Sequence, residues 1–320
     1  SVVEVSLDRG QIVAGDLREA IEEVELELKG GSAAGLFAVA RRLADETILR
    51  LSFDSKADRG YRLAAHEAVA AEKARPVHLR TGMSGGEAFM QVTRSCMTQV
   101  CTNAQRLREA RNPEILHQLR VGLRRLRAAF TAFKRILPAR AANRLTVEIK
   151  WIGNELDPAR DIDVFIEDAS DTAESRNSDE LVSKEFAERL RVTQAANYGR
   201  ALKAVDSKRF AMLMLDCAEW VETGSWRRNK DADVVKLRDG DAAILAAEAL
   251  GHLSHQLRKK AKHLAALKAA ARHRARIKAK KLRYAAEFFD ELFGRHARKR
   301  RSKFIGALGE LQDALGALND

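Results

Sequence analysis

Two stretches of one pattern decide how this chain folds: His117-Gln118-Leu119-Arg120-Val121-Gly122-Leu123-Arg124-Arg125-Leu126-Arg127 and His273-Arg274-Ala275-Arg276-Ile277-Lys278-Ala279-Lys280-Lys281-Leu282-Arg283-Tyr284. In each, a His is followed by cations three, seven and ten positions later. At about 100° per residue these four positions lie within about 80° of one another on a helix. The opposite side carries Leu119, Leu123, Leu126 and Phe130 in the first copy, and Ala275, Ala279, Leu282 and Ala286 in the second. Each stretch therefore predicts an amphipathic helix with one face in a core and a His/Arg/Lys stripe on the other.

The charge of the whole chain is concentrated around these stripes. Residues 106–140 hold ten Arg/Lys against two acids, and residues 256–303 hold eighteen against three. These segments carry +8 and +15, whereas the whole chain carries +12, so everything else sums to −11. No Asp or Glu occurs from Ile115 to Val147 or from Ala249 to Ala286. A merely solvated helix surface mixes signs so that neighbours one turn apart pair. Two unmixed basic faces point instead to a large polyanion.

Moving outward, only 4 Pro and 6% aromatics, in a background rich in Ala, Leu, Arg and Glu, favour helix over most of the length. A chain of 320 residues exceeds one typical domain. The stripes repeat at an offset of 156 residues, with Arg120 on Arg276, Arg124–Arg127 on Lys280–Arg283, and Phe133 on Phe289. Gly86-Glu87-Ala88 and Gly240-Asp241-Ala242 open matching helices, and Leu156-Asp157 is echoed by Leu315-Gly316. The repeat predicts two helical bundles related by a pseudo-twofold, over 86–224 and 235–320. Residues 168–179 and 224–234 are expected interruptions.

The N-terminal 65 residues are different. Val3–Gly10 and Glu23–Gly30 alternate apolar and charged residues, the period of strands with one wet face, with Glu23, Glu25 and Glu27 pointing the same way. A helix is predicted over 33–46, a strand over 48–53, a charged loop over 55–63, and a linker helix from Ala64 to Arg75 followed by a hinge, the linker as a whole covering 66–85. The fold class is thus mainly α, two pseudo-symmetric antiparallel bundles preceded by a small α/β segment.

No apolar run approaches the ~18 residues of a membrane span. The N-terminus has no basic segment leading into an apolar one. Cys96, Cys101 and Cys217 have no metal-ligand spacing and read as reduced thiols of a cytoplasmic protein. The stripes contain no carboxylate or hydroxyl nucleophile beside the His, so they suit binding rather than catalysis. A bound phosphate would favour the imidazolium of His117 and His273, which predicts tighter anion binding at mildly acidic pH.

At these residues the chain resembles the CHAD family, the conserved histidine α-helical domain. The likeness rests on both stripes, on Arg160-Asp161 with Asp163, and on Leu315-Gly316 with Asn319-Asp320, over about residues 86–320. It implies a basic cavity between two helical repeats that binds inorganic polyphosphate without a cofactor, and association with polyphosphate granules. The implied contacts are His117, Arg120, Arg124, Arg125, Arg127, His273, Arg276, Lys280, Lys281, Arg283 and Tyr284. The first 65 residues resemble the C-terminal half of a CYTH, or triphosphate tunnel, domain, a remnant with too few strands to close a barrel. That likeness implies Lys56 and Arg59 as phosphate-side residues and Glu23, Glu25 and Glu27 as ligands for Mg or Mn, metals relevant only to a complete tunnel. Three functions follow: a non-enzymatic polyphosphate binder, part of a metal-dependent inorganic triphosphatase, or a general nucleic-acid binder. The stripes have almost no aromatic stacking residues, which disfavours the last.

Overall fold

The computed structural model describes residues 1–175, 184–261, 268–294 and 298–317. Among them it is mainly helical, with eleven α-helices and a single two-stranded sheet. No described helix is long and apolar enough to cross a membrane. The chain forms two compact units, each gathered from separate segments: 1–73, 97–123 and 147–223 in the first, and 74–96, 124–146 and 224–320 in the second. These units cut across the contiguous blocks 86–224 and 235–320 of the sequence repeat.

The first unit begins with an antiparallel hairpin of β1 (Val2–Ala14) and β2 (Leu17–Gly30), as the alternation predicts. Its two-residue turn places Gly15 at φ +59°, a left-handed position that suits hairpin twist and costs glycine nothing. Helix α1 (Ala33–Glu46) follows and buries Phe37 and Ala44. Three local expectations then give way. Residues 48–53 form no strand, and Arg50 turns instead to Asp206, at 3.1 Å. The expected loop over 55–63 is helix α2 (Lys56–Ala64), started by a capping box in which Ser55 and Asp58 satisfy each other's backbone N–H groups.

The linker helix is absent, and residues 66–84 carry no helix. His66 at φ +52° turns the chain, and the backbone beyond is satisfied by side chains. Asn103 accepts from the Glu72 N–H at 3.0 Å and donates back to its carbonyl at 2.9 Å, while Arg106 donates to the Ala70 carbonyl at 2.8 Å. These bonds replace the i to i+4 ladder that a helix would have needed.

Helices α3 (Gly85–Glu109), α4 (Pro113–Ala132) and α5 (Ala139–Ser175) each contribute residues to both units. Helix α5 runs on through residues 168–175, where an interruption was expected, as a continuation of a segment anchored by buried Leu156, Ala159 and Asp163. Residues 176–183 of that expected break lie outside the described ones. Helices α6 (Lys184–Val205) and α7 (Lys208–Thr223) complete the first unit.

The second unit adds α8 (Ala232–Asp239), α9 (Ala242–Lys260), α10 (Ala269–Phe288) and α11 (Arg298–Ala317), with α10 packed between α9 and α11. The starts of α3 and α9 are tied by reciprocal backbone bonds: Gly85 N–H to the Gly240 carbonyl at 3.0 Å, and Ala242 N–H to the Met83 carbonyl at 2.8 Å. Gly85 has to be glycine, since a Cβ there would meet the Leu237 carbonyl oxygen at 2.2 Å. The core is aromatic. Phe89 lies 5.1 Å from Trp226, 5.4 Å from Phe133 and 6.4 Å from Phe130, and Phe133 stands edge-on to Phe289 at 5.3 Å. Phe133 and Phe289 are the matched residues of the sequence repeat, and here they touch.

Phe89, Phe133 and Phe289 are fully buried at the junction of these rings. Phe89→Ala is expected to cost about 3–5 kcal/mol of unfolding free energy. Chemical denaturation followed by circular dichroism measures it, and a loss under about 1 kcal/mol would contradict this account of the core.

Candidate functional site

Both stripes form as the periodicity requires. Leu119, Leu123, Leu126 and Phe130 of α4 are buried, as are Ala275, Ala279, Leu282 and Ala286 of α10. The polar faces differ in how their charges are met.

On α4, His117 and Arg120 belong to the first unit. His117 is half-buried, and Arg120 hydrogen-bonds Asp157 on α5. Nearby on α5, Asp163 is only 4% exposed and accepts from Tyr198 and Gln194 of α6, each at 2.8 Å. Burial, reinforced by Asp163, raises the Tyr198 phenol and keeps it protonated. The Arg160–Asp163 motif thus supplies a structural acceptor that pins α5 to α6. Arg160 itself lies 3.7 Å from Glu167.

Arg124, Arg125 and Arg127 belong to the second unit. Arg125 is 3% exposed, with its guanidinium carbon 5.3 Å over the Phe288 ring. It packs inside rather than standing on the stripe. Arg124 and Arg127 are half-buried, and among the described residues their Nε atoms are buried without a hydrogen-bond partner. Burial holds the Arg127 guanidinium below its usual range.

On α10, His273 is exposed, whereas Arg276, Lys280, Lys281 and Arg283 are half-buried. The Nε atoms of Arg276 and Arg283 are likewise buried and without a partner among the described residues. Arg276 lies against Gly316 of α11, where a Cβ would come within 3.1 Å of its Nη2. The absence of a side chain at Gly316 therefore leaves room for the guanidinium. Asn319 and Asp320, named with it in the sequence motif, lie outside the described residues. Tyr284 is 4% exposed, so its ring packs in the core and sits 5.1 Å from the Arg283 guanidinium carbon.

One acid interrupts this face. Glu287, the first carboxylate after the acid-free run, sits one turn beyond Arg283 at 3.1 Å. Burial pushes its carboxyl above the ordinary range, while Arg283 and Arg125 pull it back. Glu287 thus shows that Arg125 of α4 and Arg283 of α10 converge within one unit. Its i, i+4 spacing from Arg283 was readable in the sequence, as was Asp157 beside the repeated Leu156, but the meeting of α4 with α10 was not.

The N-terminal candidates form a different site. Oxygens of Asp8, Glu23 and Glu25 lie within 4.8 Å of one another, and Lys56 Nζ stands among them, 2.8 Å from Glu23 and 2.6 Å from Glu25, with Asp8 as a third partner. Hydrogen bonds to Asp8, Glu23 and Glu25 raise the Lys56 ammonium above its usual range. Glu27 is not in this group and pairs with Lys29 at 2.7 Å. Arg59 binds Glu19 at 2.7 Å, with Glu23 at 3.4 Å. The oxygen donors suit Mg or Mn, but Lys56 stands among them and offsets one of their three negative charges, so an ion would compete with its ammonium for the same oxygens. Glu23, Glu25, Lys56 and Arg59 line a cavity of about 1040 Å³ closed on its other sides by α1, the segment after it and α7. Of the phosphate-side pair, Lys56 and Arg59 both spend their charge on carboxylates.

Comparison with known proteins agrees with this architecture. A crystal structure of the CHAD domain from the plant Ricinus communis aligns with a TM-score of 0.64 at 30% identity, covering 78% of this chain and 80% of that one. An inorganic triphosphatase of Haemophilus influenzae is 40% identical over 67 residues, which is 21% of this chain and only 19% of that protein. The sequence profile of the CHAD domain matches residues 91–320, well over half the length, and the chain belongs to the CHAD-domain family.

Proposed function

We propose that this chain binds inorganic polyphosphate through the cationic faces of α4 and α10, and that it does so without hydrolysing it. One observation carries the reading. The buried Nε atoms of Arg124, Arg127, Arg276 and Arg283 meet no acceptor among the described residues, on two helices whose acid-free runs offer almost no internal counter-charge. Desolvating a guanidinium N–H without a partner costs free energy, and an anion held by the exposed part of the half-buried Arg124, Arg127 and Arg276 offsets some of it, whereas Arg283 already meets Glu287. Phosphate oxygens accept from guanidinium in pairs, and a polymer reaches several such groups at once.

His273 at the exposed head of α10, with Lys280 and Lys281 further along, adds donors for the same chain of phosphates. Arg120 is shared with Asp157, so binding there requires exchange of one anion for another. The binding class disfavours nucleic acid, because Tyr284 is buried and offers no stacking face. Association with polyphosphate granules follows from polymer binding and belongs to this reading.

A second reading has its own support. The match to part of an inorganic triphosphatase, together with the Asp8–Glu23–Glu25 group beside Lys56, fits a metal-dependent triphosphatase whose phosphate-holding half is the CHAD domain. In this chain Lys56 is bonded to all three carboxylates, and the open two-stranded sheet leaves the triphosphate unenclosed.

Two outcomes are expected. At about 150 mM salt, where screening removes weak surface attraction, the wild-type chain binds long-chain polyphosphate much more tightly than duplex DNA. Arg124→Glu with Arg276→Glu weakens polyphosphate binding at least about 100-fold, each lost charge-assisted contact being worth roughly 1.5–3 kcal/mol, while helical circular dichroism is unchanged. Equal affinity for DNA, or a variant that binds normally, overturns the reading. Incubated with tripolyphosphate and Mg or Mn, the chain is expected to release no phosphate; turnover abolished by Glu23→Gln would put the triphosphatase first.

A further inference from the structure

We propose that Lys134, His252, Gln256 and Lys278 form a second phosphate subsite, apart from the two stripes, in which phosphate binding is coupled to protonation of His252. All four belong to the second unit. Lys278 lies five residues after His273, so it projects about 140° round α10 from the head of the stripe. His252 and Gln256 are one turn apart on α9, and Lys134 follows the end of α4 at Ala132. The identity of the ligand rests on the polyphosphate reading above; the geometry of the subsite does not.

The four side chains form one hydrogen-bonded chain. Lys134 Nζ lies 2.8 Å from His252 Nε2, and the Gln256 amide nitrogen reaches the same ring nitrogen. Lys278 Nζ donates to Gln256 Oε1 at 2.5 Å. An ammonium has no lone pair, so His252 Nε2 must be the acceptor, and the ring is neutral with its proton on Nδ1. Two ammonium groups are therefore bridged by two neutral side chains.

No counter-charge closes the network. Among the described residues none of Lys134, Arg135, His252, His255 or Lys278 is in an ion pair with a carboxylate. The nearest acid along α9 is Glu248, one turn before His252. The charged groups facing His252 are Lys134 and Arg135 after α4, Lys278 on α10 and His255 on its own helix. Partial burial first, then these cations, hold its imidazolium below the ordinary range.

A phosphate oxygen placed between Lys134 and Lys278 accepts from both ammonium groups. His252 then takes a proton from solvent at Nε2 and becomes a third donor instead of an acceptor. The sign follows from linkage. The free protein resists protonating His252, whereas the phosphate-bound protein favours it, so affinity rises as pH falls across the interval between the two titration midpoints. Internal phosphates of a long polymer keep their charge from pH 8 to pH 6, so this gain is assigned to the protein.

The test is the imidazole titration of His252 in the full chain, followed by NMR with His252→Gln identifying the resonance, with and without pyrophosphate and long-chain polyphosphate. The midpoint is expected to move up by about one unit on adding either, and His252→Gln to lose the affinity gain that this shift produces on lowering the pH, at most about tenfold and complete only below both midpoints. Lys134→Glu with Lys278→Glu should weaken polyphosphate binding about tenfold or more. A His252 midpoint unmoved by both anions, with the variants binding as wild type does, overturns the subsite and leaves the stripes as the polyphosphate site. A His252 response to pyrophosphate in a chain that fails to bind the long polymer supports the subsite and removes the polyphosphate reading instead.

Discussion

A helix has one face to bury, and on α4 and α10 that face is sealed by Leu119, Leu123, Leu126, Ala275, Ala279 and Leu282. Apart from exposed His273 and buried Arg125, the stripe residues stand half-buried at the margin of this seal. Their aliphatic stems cover apolar surface while the charged heads remain at the edge of the core. The aromatic cluster of Phe89, Phe133, Phe289 and Trp226 holds the second unit rigid behind them. Rigidity matters here because like charges fixed side by side cannot relax apart. They either carry a standing electrostatic cost or are neutralised from outside.

Away from the stripes, cations of the first unit are met by acids. Arg41 is met by Asp216 and Glu219, Arg59 by Glu19 and Glu23, Arg106 by Glu72, and Arg209 by Glu148. Those pairs span distant segments and satisfy the charge internally, although exposed members such as Arg209 add little stability. In the second unit Glu287 is the carboxylate set against the stripe. Its own raised carboxyl shows how strongly burial opposes charge at that depth. Away from the stripe the second unit pairs its cations too, Arg301 with Asp290 and Arg238 with Asp239.

Much of the N-terminal segment was legible only in part. The alternation in Val3–Gly10 and Glu23–Gly30 sufficed for strands there, but not for their extension to Ala14 and from Leu17 or for their pairing as a hairpin. The same reasoning failed at residues 48–53, where alternation lacked a partner strand to pair with. Ser55 and Asp58 carried the signature of a helix start, hidden inside a stretch that looked like a charged loop. The absent linker helix was decided by Asn103 and Arg106, which lie far along the chain and take over the backbone bonds of residues 70–72. No local pattern carries that information.

For the site, sequence alone determined which residues share a helix face, because the rotation per residue is a property of the backbone. It also determined that two long runs contain no acid, and hence that local pairs along those helices do not neutralise them. Tertiary structure decided which cations remain available. Arg125 went under Phe288, Arg120 to Asp157, Tyr284 into the core, and Glu287 between Arg283 and Arg125. Each of these assignments except the Arg283–Glu287 turn depends on residues brought close by packing between helices, and helix periodicity does not specify which helix lies alongside.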